Sequence, residues 1–174
     1  MLSHKNLSKK VLYVCAVFLA VTSLAACNFR PLHGKNSLGS TTHAELSQIY
    51  IPEVDNRTSQ LVRNNLLSDL AARNSAGGAK YQLTFDTSET KSNALVQTSS
   101  EVTLVNYTLR VKYRLIDLNT RKLINNGESF SVISYDRVST EFGNVRAEQN
   151  VQKRAAKAVS IDLRTRIGAF FATQ

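Results

Sequence analysis

Apolar residues recur along this chain in three rhythms, and each predicts a different kind of element. From Val11 to Ala26 they run almost unbroken. From Gln48 onward short alternating stretches take over, broken twice by a helical spacing. Gln48-Ile49-Tyr50-Ile51 predicts a short strand stopped by Pro52. Val62, Leu66 and Leu70 repeat at i+4, widened by Leu67 and Ala71, so a one-faced helix is expected up to about Arg73, ended by Gly77-Gly78. Asp55, Asn56 or Thr58 could cap its start. Tyr81, Leu83 and Phe85 then alternate with polar neighbours, and the polar residues Thr87–Asn93 read as the strand's outer end or a loop. The cleanest alternation follows: Val105, Tyr107, Leu109, Val111, Tyr113 and Leu115 point one way, and Asn106, Thr108, Arg110, Lys112 and Arg114 the other. Asp117–Lys122 predicts a hairpin connection to a return strand from about Leu123 to Arg137, with Phe130, Val132, Ile133 and Tyr135 as its larger apolar residues.

A last helix is expected from about Asn144 to Phe171. Val151, Ala155, Val159, Leu163, Ile167, Phe170 and Phe171 make its apolar stripe, and Arg146, Lys153, Arg154, Lys157, Arg164 and Arg166 occupy much of the rest. The basic stripe reads as the wet side of a packed helix, and Phe170-Phe171 as a lid on the core. The expected order is β-α-β-β-β-α: an α+β, two-layer sandwich of a four-stranded, mostly antiparallel sheet with one face covered by two helices.

The first apolar run changes the picture at the start of the chain. It follows Lys5, Lys9 and Lys10 with no acid, which are the charged and apolar regions of an export signal. It falls short of the ~20 residues a spanning helix needs. It closes on Leu24-Ala25-Ala26-Cys27, which resembles the lipobox of bacterial lipoproteins. The resemblance implies removal of residues 1–26 and lipidation of Cys27. Residues 27–47 are then a lipidated N-terminus and tether, because Gly34, Ser37, Gly39, Ser40, Thr41 and Thr42 have loop composition. Residues 48–174 form a single domain. A cysteine carrying two or more acyl chains anchors stably, where one chain holds only marginally.

Charge and cysteine content narrow the function. The formal charge is +9, falling to about +6 without the leader, which favours an acidic partner such as anionic lipid or a phosphorylated sugar. An exported protein is not expected to meet nucleic acid. Cys15 lies in the leader and Cys27 takes lipid, so no thiol remains for a disulfide and burial must hold the domain together. No arrangement of residues suggests catalysis or a metal. His33 and His43 sit together in the tether, Glu89, Glu101, Glu128 and Glu141 are scattered, and no G-x-S-x-G or phosphate-cradling glycine loop occurs. No cofactor is expected beyond the covalent lipid, and no enzyme activity.

Beside the lipobox, the residues after Cys27 are Phe29-Arg30-Pro31-Leu32-His33-Gly34. They are similar to the Cys-Gly-Phe-x-Pro-Leu-Tyr-Gly opening of the LptE family, the lipopolysaccharide-assembly lipoproteins of the Gram-negative outer membrane. Element order, mature length and an alanine-rich last helix (Ala155-Ala156-Lys157-Ala158) also resemble that family. Asn28 stands where a glycine is usual and His33 where a tyrosine is usual, which puts in doubt any role of the tyrosine hydroxyl. Asn28 is also not the aspartate that holds enteric lipoproteins in the inner membrane. The resemblance implies a non-enzymatic plug in the lumen of the LptD β-barrel, assisting barrel assembly and delivery of lipopolysaccharide to the outer leaflet. An auxiliary lipoprotein of a lipid-trafficking ABC system is the alternative, since it could share a lipobox and a small α/β domain.

Arg110, Lys112 and Arg114 are the candidate lipopolysaccharide-binding residues. Alternation puts them on one strand face about 7 Å apart, a row that could meet lipid A phosphates. The competing readings are a solvated face, charges that keep the sheet from aggregating, and contact with a barrel wall.

Overall fold

The computed structural model describes residues 37–73, 75–96 and 102–173. The leader, Cys27 and the Phe29–Gly34 stretch lie outside the described residues. The elements are helix α1 (Ser37–Leu46), strand β1 (Ile49–Tyr50), helix α2 (Arg57–Leu70), strands β2 (Tyr81–Val96), β3 (Val102–Asp117) and β4 (Leu123–Asp136), and helix α3 (Glu141–Ala172). The sheet has strand order β1-β2-β3-β4. The short β1 is parallel to β2, and the other two pairings are antiparallel. The expected α+β sandwich is therefore present, with one addition. Ser37–Leu46, read as loop from its glycine, serine and threonine, is a helix. It packs on α3, and Thr42 and Leu46 are buried there, so docking outweighs weak local propensity.

The core lies between the helices and one sheet face. Ile49, Leu83, Tyr107, Leu109, Val111 and Leu115 are buried from the sheet side, and Val62, Leu66, Ala155, Val159, Leu163 and Ile167 from the helices. Both predicted helical stripes thus face inward. Phe170 and Phe171 are partly buried against the same core, with the Phe171 ring 4.9 Å from that of Tyr81.

Local chemistry sets the element ends. Asn56 caps α2, its side chain accepting from the Ser59 N–H at 2.7 Å. Ala71, expected on the apolar stripe, instead ends α2 in the left-handed region at φ 51° and is exposed. The glycines expected to stop the helix lie in the following turn, where Gly78 takes φ 72°. Arg63 of α2 reaches back to the strand exit, its guanidinium donating to the carbonyls of Pro52 (2.8 Å) and Ile51 (3.1 and 3.3 Å). In the β3–β4 turn the Asp117 carboxylate accepts from the N–H groups of Asn119 and Thr120, both at 2.8 Å. The Thr120 N–H foremost holds that carboxyl below the usual range.

Candidate functional site

The sheet's second face carries the candidate row. No described element covers it, because α2 and α3 both pack on the other side. Along β3 this face presents Thr108, Arg110, Lys112 and Arg114, with Thr84, Asp86 and Ser88 beside them on β2 and Asn126, Glu128, Phe130 and Val132 on β4. The predicted row is thus real as a row. Its surroundings are not purely cationic.

Lys112 lies directly opposite Asp86 on one side and Glu128 on the other. Arg110 forms an ion pair with Glu128 and lies over the Phe130 ring, 5.5 Å from its centroid. Arg114 faces Thr84 and Asn126, both uncharged. The stretch is therefore a mixed-charge ladder: Lys112 has an acid directly opposite on each side, Arg110 reaches Glu128 diagonally, and Arg114 faces only uncharged residues. Between the side chains runs a shallow groove of about 500 Å³, lined by Asp86, Lys112, Arg114, Asn126 and Glu128 together with Tyr113 and Gly127. Three cations against two acids leave the patch weakly positive, a surface suited to polar partners of either sign.

The sequence left Asp86, Glu128 and Phe130 out of this site. Each belongs to a strand whose alternation was legible, but only the register puts them beside β3. The same register shows that this second face is not wholly polar. Phe130 and Val132 differ in parity from Ile133 and Tyr135, so the first two project outward, 62% and 53% exposed, while the latter two pack against the core.

A second polar group lies at the helix-covered side of β2. The Tyr107 hydroxyl donates to Glu89 Oε2 at 2.7 Å, and Gln152 of α3 approaches the same oxygen at 3.4 Å. Burial foremost, then the Glu89 carboxylate, pushes the Tyr107 phenol well above its ordinary value. Lys91 bridges to Glu148 of α3. These contacts fasten the first half of α3 to the outer half of β2. They assemble no acid–base pair poised for catalysis, and no group of His, Cys, Asp or Glu among the described residues could hold a metal. His43 is exposed on α1. The basic residues of α3 mostly face solvent. Lys157 pairs with Asp69 of α2 at 2.8 Å and Arg166 with Asp162 at 2.6 Å, so part of the stripe is structural. No helix among the described residues is long and apolar enough to cross a membrane.

This architecture recurs in solved structures. A protein assigned as a lipoprotein in Caulobacter crescentus CB15 superposes with a TM-score of 0.65 at 20% identity, over 78% of this chain and 98% of its own. The chain shares that protein's fold. A minor lipoprotein from Acinetobacter baumannii gives a TM-score of 0.52 at 14% identity, over 71% of this chain and 92% of its own. Rare lipoprotein B from Shewanella oneidensis gives 0.50 at 15% identity, over 72% and 93%. No protein-family model and no curated protein matches the sequence. At these identities the likeness concerns the fold, and function has to be argued from this chain's own residues.

Proposed function

We propose that this protein is a lipid-anchored outer-membrane lipoprotein of the LptE type, which plugs an LptD-like β-barrel, helps it assemble and assists delivery of lipopolysaccharide to the outer leaflet. The observation that carries this reading is the uncovered sheet face. It is a long, mixed-charge surface with no described element over it, and it is suited to the polar lining of a barrel lumen. The lipobox ending at Cys27, the Phe29–Gly34 opening and the fold shared with several bacterial lipoproteins support it. The role is one of surface complementarity, with no bond making. Lipid on Cys27 would hold the domain at the membrane, facing the periplasm and the barrel lumen.

Within this reading, Arg114, which faces only uncharged residues, is better placed than Lys112, flanked by Asp86 and Glu128, or than Arg110 to meet a lipid A phosphate. Arg110 is already engaged by Glu128 and Phe130, so recruiting it means breaking a cross-strand pair.

The deciding experiment is affinity purification of the tagged full-length protein from outer membranes in mild detergent, with mass spectrometry of what is retained. A single large β-barrel in near-equal amount is expected. Recovery of ABC-transporter components, or of no partner, would overturn the reading. Replacing Lys112 and Arg114 together with glutamine is then expected to weaken lipopolysaccharide binding without setting a further acid beside Asp86 and Glu128.

A further inference from the structure

Among the described residues β4 pairs with β3 alone, so its other side is a free edge of backbone N–H and C=O groups. Natural proteins guard such edges with lysine, proline, a bulge or a very short strand. β4 runs 14 residues with neither lysine nor proline, and its one irregularity against β3 is confined to the Leu115/Ile116 end. Its outward row offers Phe130 and Val132 to solvent. An edge so long and so little guarded is a template for another strand.

The side-chain pattern says which strand fits. We propose that β4 pairs antiparallel with β4 of a second copy, in a register centred on Ser131, joining two sheets into one continuous sheet around a two-fold axis. Opposed residues in an antiparallel pair share a face, so the helix-covered sides stay together. In this register Phe130 meets Val132 of the second copy, and Val132 meets Phe130. That makes two aromatic–β-branched cross-strand pairs at the centre. Glu128 meets Ser134, and Asp136 meets Asn126, so each acid faces an uncharged hydrogen-bonding side chain. On the covered side Gly127, over which its own Tyr113 ring already lies, meets Tyr135, so a small residue stands beside a large one. A register centred on Val132 would oppose Glu128 to Asp136, two like charges. One centred on Phe130 would set Glu128 against Val132 and lose both mixed pairs. The sequence of β4 thus selects one self-complementary register.

The pairing concerns copies outside any barrel and does not rest on the plug reading. The test uses the full chain in mild detergent, with multi-angle light scattering over a wide dilution series. A mass that doubles with concentration is expected. Replacing Phe130 with p-benzoylphenylalanine should yield, on illumination, a covalent dimer whose cross-link maps to the peptide holding Val132. Phe130→Lys combined with Val132→Lys should return the mass to that of the monomer while the circular dichroism spectrum stays that of the folded chain, since both positions are exposed. Three results would each overturn the proposal: a monomer at every concentration, a dimer that survives the double lysine variant, or a cross-link to residues 1–36 of the same chain.

Discussion

Gly127 has its place because of Tyr113. A Cβ there would lie 3.0–3.2 Å from the Tyr113 ring, whose hydroxyl donates to Asn125 at 3.0 Å. Gly127→Val is therefore expected to lower stability by about 1–3 kcal/mol by displacing a well-packed ring, read by urea denaturation. Arg63 acts by a different route. Its guanidinium satisfies two carbonyls where β1 leaves the sheet, and Arg63→Ala should cost about 1–3 kcal/mol, with Lys restoring only part. The Asp162 carboxyl shows how opposing effects resolve. Burial works to raise it, but hydrogen bonding, with the Arg166 guanidinium 2.6 Å away, outweighs that and holds it below the ordinary value. A carboxyl lowered in the folded state contributes stability in full above its unfolded value, and loses it as pH falls through the folded one. Tm should thus decline on the acid side of the usual carboxylate range, and less steeply in Asp162→Asn. At this scale the sequence was partly legible. Asn56 stood among three possible caps because capping is local. The Lys157–Asp69 pair joins two helices far apart in the chain, and no spacing reveals it.

Helix α3 carries the clearest contrast within one element. Leu163 is fully buried, and Leu163→Ala should cost about 2–5 kcal/mol, whereas Ile161→Ala, at a position half exposed to solvent, should change stability by less than about 0.5 kcal/mol. Thermal or chemical denaturation of the pair separates them. The stripe behind this contrast was readable because a long helix repeats its pattern many times. Shorter or compensated elements were not. Thr87–Asn93 looked like a strand end because its inward residues are polar, yet β2 continues to Val96. The polarity is matched from the helices: Thr87 by Ser59 at 2.8 Å, Glu89 by Gln152, and Lys91 by Glu148. Helix α1 was hidden for the converse reason, since its composition favours a loop and its packing on α3 overrides that.

For the molecule as a whole, alternation in β3 made the two-layer arrangement and the row of Arg110, Lys112 and Arg114 visible in advance. What alternation could not supply was register, and register decides that acids and a phenylalanine share the row's face. The strand order adds a consequence for kinetics. Each strand's neighbour in space is also its neighbour along the chain, so β2, β3 and β4 can zip together from two short connections with little loop entropy to overcome. Only β1 must wait. Its partner, beginning at Tyr81, lies beyond the whole of α2, and the two strands share just two residue pairs. Asp117→Ala, which removes the anchor of the β3–β4 turn, should therefore slow refolding. Ile49→Ala, in a strand that docks late, should leave refolding nearly unchanged and speed unfolding, as stopped-flow fluorescence of the tyrosines would record. The two-residue parallel strand that follows α1 is then the last piece of the sheet to close and the first to open. A pull on the chain from its N-terminal side would pass through α1 and part this strand before the meander yields.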